Sequence, residues 1–137
     1  MVQVGEEAEL IDSLQMQFGR LDIYPQYMVT TTNENYRVSI DDFNQAVAVA
    51  QQYFGAGKQW GLIANRENSY TLDVARLNEG FKGTHLVALA LVLGEEAAIA
   101  VGCWLPEQIY SNSFPVRAFV TLEQAKCWLQ QQLCLSN

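Results

Sequence analysis

Apolar residues recur along this chain with two different periods, and the changes of period mark out its elements. From Phe18 to Tyr24, Leu21 and Ile23 alternate with polar positions. Pro25-Gln26 then reads as a turn, and Tyr27 to Thr32 is rich in β-formers. Two short strands with a two-residue break predict an antiparallel hairpin. The period changes after Ser39. Ile40, Phe43, Val47, Ala50 and Phe54 follow at three- and four-residue intervals, a helical stripe, with Ser39 and Asp42 forming a capping-box pattern at its start. Gly55 and Gly57 end it. Trp60-Gly-Leu-Ile-Ala64 reads as a short buried strand, and the polar stretch Asn65 to Thr71 as a loop.

A second helix is expected from Asp73, where Leu72 and Leu77 are spaced as a hydrophobic staple, with Gly80 and Gly83 at its end. Leu86 to Leu93 is apolar on both faces, as in a central strand covered on each side. Glu95-Glu96 opens a third predicted helix reaching about Leu105, ahead of Pro106. Val116 to Phe119 is the last predicted strand. The closing helix starts at Thr121, paired with Gln124 as a cap, and carries the stripe Leu122, Ala125, Trp128, Leu129 and Leu133. The order is ββαβαβαβα. Strands joined through single helices run parallel, which predicts an α/β domain with a mixed sheet of about five strands: an opening hairpin, then parallel βα units. Residues 1–13 are assigned to an acidic N-terminal arm without fixed structure, and 14–137 to one domain.

Composition narrows the partners. The 137 residues suit one domain of ordinary size, and half are hydrophobic, enough for a core. Net charge is -7 with eight Lys and Arg, which no stretch clusters, so the basic stripe that nucleic acid requires is missing. The longest apolar run, Leu86 to Leu93, falls far short of the roughly 20 residues that span a bilayer, which argues against membrane insertion. The acidic start lacks the features of a signal peptide, and the three cysteines form no CxxC pair; a cytoplasmic location is expected. Cys127 and Cys134, seven apart, read as small apolar filler on one helix face.

The element order, with its opening hairpin and closing helix, resembles the SpoIIAA-like or STAS fold of anti-sigma-factor antagonists, a fold also similar to lipid-carrier CRAL-TRIO domains. The likeness to a bacterial group of STAS-like proteins rests on three stretches: Gly-Leu-Ile-Ala-Asn-Arg-Glu-Asn-Ser-Tyr-Thr-Leu-Asp (61–73), the preceding Tyr53-Phe54-Gly55, and the closing Phe119-Val-Thr-Leu-Glu-Gln-Ala-Lys-Cys-Trp128. It spans Phe18 to Leu133. The resemblance implies a non-catalytic regulatory or protein-interaction domain with an unidentified protein partner. Antagonists of that type carry an Asp-Ser-Ser-Gly-like motif whose serine is phosphorylated. This chain has no such motif; Ser69 and Thr71 fall in the corresponding region and are the candidate phosphoacceptors.

Little else points to chemistry. His85 is the only histidine and stands at the mouth of an apolar strand, where it reads as structural; one histidine cannot build a histidine-rich metal site. Gly55-Ala-Gly57 precedes a strand, whereas phosphate-cradling glycine loops follow one. Asp41-Asp42 and Glu95-Glu96 are sequence neighbours that diverge on a helix, so they form no acid–base dyad. No enzyme, cofactor or metal is therefore expected. The one dense polar segment is Asn65-Arg66-Glu67-Asn68-Ser69-Tyr70, at the carboxyl end of a strand predicted to be parallel, where open α/β sheets bind ligands. Asn65, Arg66, Asn68, Ser69 and Tyr70 are the candidate ligand contacts, and a small-molecule or lipid-binding module using the crevice beside 65–73 is the alternative function. Residues 97–105 are apolar all round a helical wheel, which predicts a homodimer with Ala98, Val101 and Trp104 in the contact.

Overall fold

The computed structural model describes residues 10–34, 36, 39–55, 57–66, 85–93 and 114–136. Six strands form one mixed sheet in the order of the chain: β1 (Asp12–Met16), β2 (Gly19–Ile23), β3 (Tyr27–Thr32), β4 (Trp60–Arg66), β5 (Leu86–Leu93) and β6 (Val116–Phe119). The pairs β1–β2 and β2–β3 are antiparallel, and β3–β4, β4–β5 and β5–β6 are parallel. Two helices are described, α1 (Ile40–Phe54) and α2 (Leu122–Ser136).

The predicted hairpin is present as β2 and β3, with Leu21 opposite Thr30 and Ile23 opposite Met28. Two expectations need correction. The sheet has six strands rather than about five, because β1 adds an antiparallel edge to the hairpin. It begins at Asp12, inside the stretch assigned to the arm. Asn65 and Arg66 also belong to β4 rather than to a loop. They pair with Val92 and Leu93 of β5, and hydrogen bonding to this longer neighbour carries the strand past its last apolar residue. The predicted helices at 73–81 and 95–105 lie outside the described residues.

The helices cap as their sequences dictate. Ser39 Oγ accepts from the Asp42 N–H at 3.1 Å while Asp42 Oδ2 accepts from the Ser39 N–H at 2.9 Å, closing a reciprocal box. Thr121 Oγ1 accepts from the Gln124 N–H at 3.2 Å. The sheet separates two cores. On one face, Leu21, Ile23, Met28, Trp60, Leu62, Leu89 and Leu91 pack with Ala46, Ala50 and Phe54 of α1. On the other, Tyr27, Val29, Ile63, Ala88, Ala90 and Val92 pack with Ala125, Leu129 and Leu133 of α2. Cys127 and Cys134 are exposed on α2, so they are not core filler. Both lie off the buried Ala125–Leu129–Leu133 stripe.

Two glycines are demanded by close approach. A Cβ on Gly19 would stand 1.9 Å from the Thr31 carbonyl oxygen, and the backbone φ there is +150°. A Cβ on Gly61 would stand 2.7 Å from Leu129 Cδ1 and 2.9 Å from Cγ. Leu129 is fully buried and has nowhere to retreat without moving α2. Gly61→Ala is therefore expected to cost about 1–3 kcal/mol of stability in denaturant unfolding. Pairing it with Leu129→Ala should cost less than the sum of the two single changes, because the smaller side chain vacates the space the new methyl needs.

Candidate functional site

The carboxyl ends of β3 and β4 meet the first turns of α1, and this is where the structure gathers polar groups against an apolar wall. Asp42, at the third position of α1, is only 4% exposed although it carries a charge. Its Oδ2 accepts from the Tyr36 hydroxyl at 2.8 Å as well as from the Ser39 N–H. Burial pushes the Asp42 carboxyl up, but the hydrogen bonds from the Ser39 backbone, the Tyr36 hydroxyl and Ser39 outweigh it and hold the group below the usual carboxylate value. Tyr36 is raised above 10.0, chiefly by its hydrogen bond to Asp42. At the far end of α1, the Tyr53 hydroxyl donates to Asp12 Oδ2 and fastens the helix to β1; that bond raises Tyr53 in turn.

Beneath α1 lies a cavity of about 50 Å³, walled by Phe43, Ala46 and Val47 of the helix and by Met28, Leu62, Leu89 and Leu91 of the sheet. Asp42, Thr30 and Thr32 supply its polar wall, and Ala64 lines it near the carboxyl end of β4. An engineered apolar cavity that holds benzene measures about 150 Å³. Ligand pockets for drug-sized molecules run from about 300 Å³ upward. The space beneath α1 thus has room for a few water-sized volumes and none for a lipid chain.

The sequence-derived site residues scatter relative to this cavity. Asn65 shares its face of β4 with Ile63, the α2 side, whereas the cavity opens on the α1 side. Arg66 ends β4 beside Leu93. Asn68, Ser69, Tyr70 and Thr71 lie outside the described residues, as do Ala98, Val101 and Trp104. His85 is exposed just before β5, and its carbonyl accepts from the Trp60 N–H at 3.2 Å. Among the described residues no three His, Cys, Asp or Glu side chains gather as metal ligands, and no helix is long and apolar enough to cross a membrane. The capping box was legible from Ser39 and Asp42. The Tyr36 donor, the cavity and the Asp12–Tyr53 bond carry no local signal, because their members come from separate elements.

The second feature is the pair of sheet edges. Among the described residues β1 pairs only with β2, and β6 only with β5. An open edge presents unpaired N–H and C=O groups, and proteins protect such edges with short strands, proline or charge. β6 has this protection: four residues, preceded by Pro115 and bearing Arg117. β1 has five residues, and its single charge, Asp12, is engaged by Tyr53 and by the Ser13 N–H. Leu10 and Ile11, which lead into β1, are 50% and 55% exposed. An edge strand whose one charge is engaged within the chain, and which exposed apolar residues lead into, can take up another strand.

No protein-family model, no curated protein and no solved structure matches the chain.

Two outcomes test the site's physics. A carboxylate whose pKa is lower folded than unfolded stabilises the fold above its unfolded value of about 3.9, and that contribution is lost as pH falls through the folded value. Tyr36→Phe removes one of the bonds that lower Asp42, so the acid limb of thermal unfolding, followed from pH 7 to pH 3, is expected to move to higher pH. Ala64→Val fills part of the cavity with a residue that favours strands. It is expected to raise stability by about 1 kcal/mol in denaturant unfolding.

Proposed function

We propose that this chain is a non-catalytic interaction domain of the STAS-like type, which engages a polypeptide along the open edge of its sheet. The observation that carries the reading is β1: an edge strand with its one charge internally engaged and exposed apolar residues leading into it. Strand addition gives affinity through main-chain hydrogen bonds and specificity through alternate side chains. The STAS-like assignment draws support from the antiparallel opening of β2 and β3, the parallel run from β3 to β6 and the closing helix α2. The alternative, a small-molecule or lipid-binding module, uses the crevice beside residues 65–73, of which 67–73 lie outside the described residues; the cavity beneath α1 is a separate space.

The test is site-specific photocrosslinking in the host cell. A photoreactive residue at Gln15, exposed on β1, is expected to crosslink to a polypeptide, and the crosslink should disappear when Leu14→Lys places a charge on the same edge. The control position is Gln131, exposed on α2. Equal crosslinking from both positions, or none from Gln15, would overturn the edge as the functional surface.

A further inference from the structure

We infer that the cavity beneath α1 binds a small monovalent organic cation, a primary alkylammonium of methylammonium size, through Asp42, Thr30 and Thr32. The inference goes beyond strand addition at β1 and does not depend on it. Its basis is a set of oxygens that the fold brings to one space and leaves unpaired. Both hydrogen bonds accepted by the Asp42 carboxylate fall on Oδ2, from the Tyr36 hydroxyl and the Ser39 N–H. Among the described residues Asp42 Oδ1 has no donor, and the Thr30 and Thr32 hydroxyls make no hydrogen bond. Asp42 and Thr32 are each only 4% exposed, and all three residues line the cavity. Oxygens withdrawn from water without a partner are costly, and a charged one more so.

Charge and donor number set the ligand class. The hydrogen bonds that hold Asp42 below the usual carboxylate value keep it negative at neutral pH. Among the described residues it is the one charge in the cavity wall, so an anion is repelled. Water can bond to the three oxygens but leaves the buried charge without a counterion. A calcium ion takes six to eight oxygens, and three side-chain oxygens in an apolar wall suit it poorly. A primary ammonium head instead carries three N–H donors and no acceptor, the same number as the waiting oxygens. The positive end of α1 opposes a cation with about half a charge, and Asp41 and Asp42 in its first turn exceed that.

The rest of the wall suits the other end of such a ligand. Phe18, Phe43 and Trp60 line the same cavity, and aromatic rings attract small organic cations while offering apolar contact to a methyl group. Size sets the upper limit. A water needs about 10–15 Å³, so the cavity of about 50 Å³ admits about three to four groups of that size. Methylammonium fits within this, and longer alkyl chains do not.

The test is a titration of the full chain with ¹³C-methylammonium at pH 7 and constant ionic strength, followed by the methyl resonance. The ceiling on affinity per atom for very small ligands places the expected dissociation constant on the order of 10 mM. Asp42→Asn keeps an oxygen for the cap and removes the charge; it is expected to weaken binding at least tenfold. Thr32→Val, nearly the same shape without the hydroxyl, should weaken it several-fold. Ala64→Val, which fills part of the cavity, should do the same with its fold intact by far-ultraviolet circular dichroism. Methanol, of equal size and no charge, should not compete. Wild-type protein without saturable binding holds water alone there, and the proposal falls. Affinity unchanged in both Thr32→Val and Ala64→Val puts the cation elsewhere and overturns it too, even if Asp42→Asn fails to fold. Equal binding of methanol overturns the cation as the ligand class.

Discussion

Gly61 leaves a gap in the sheet surface, and Leu129 of α2 fills it. Much of the packing follows from that contact. β4 has neighbours on both sides and a helix over each face, so its place fixes β3 and β5 as well. The strand beside it repeats the pattern: Ala88 and Ala90 face α2, with Ala125 as their small counterpart on the helix. Small residues on sheet and helix together let α2 lie close, and larger side chains such as Tyr27, Val29 and Ile63 close round it. The opposite face uses the complementary arrangement. Large sheet residues, Trp60, Leu62, Leu89 and Leu91, meet Ala46 and Ala50 of α1. Volume is conserved across each interface by pairing large with small. The cavity marks where that matching fails, since Ala46 of the helix and Ala64 of the sheet are both small at the same level.

Elements whose cause is local were legible in the sequence. The α1 box needs only Ser39 and Asp42, three residues apart, and Gly55 ends the helix with a φ of +77°. β5 announces itself because eight apolar residues in a row suit a strand covered on both faces. β1 was not legible. Asp12-Ser-Leu-Gln-Met16 has only two apolar residues, and its acidic surroundings gave it the look of an arm. The carboxyl end of β4 failed for a related reason, since Asn65 and Arg66 are polar and local pattern ends the strand before them. Pairing with β5 continues it. The candidate site was legible only in its capping residues. The Tyr36–Asp42 bond, the fastening of Tyr53 to Asp12 and the cavity each join segments that only the fold brings together.

The faces of β1 and β2 explain why that edge stays both weakly marked and available. Toward α1 these strands contribute Leu14, Met16, Leu21 and Ile23 to the core. Away from it they carry Ser13, Gln15, Arg20 and Asp22, and the α2-side core ends at β3. Arg20 and Asp22 pair at 3.1 Å there, and Ser13 Oγ donates to Asp22 Oδ1 at 2.6 Å. An exposed ion pair of this sort contributes little stability. Its consequence is geometric, because it draws the charges of the polar face onto β2 and leaves β1 without an uncompensated one. Asp12, the one charge within β1, is turned toward Tyr53. A strand that contributes half-buried apolar side chains on one face and neutral polar ones on the other gives weak periodicity. The same composition lacks the lysine or proline that would keep another strand away. What hides β1 in the sequence is therefore also what leaves its edge unprotected by lysine or proline, with no strand beyond it among the described residues.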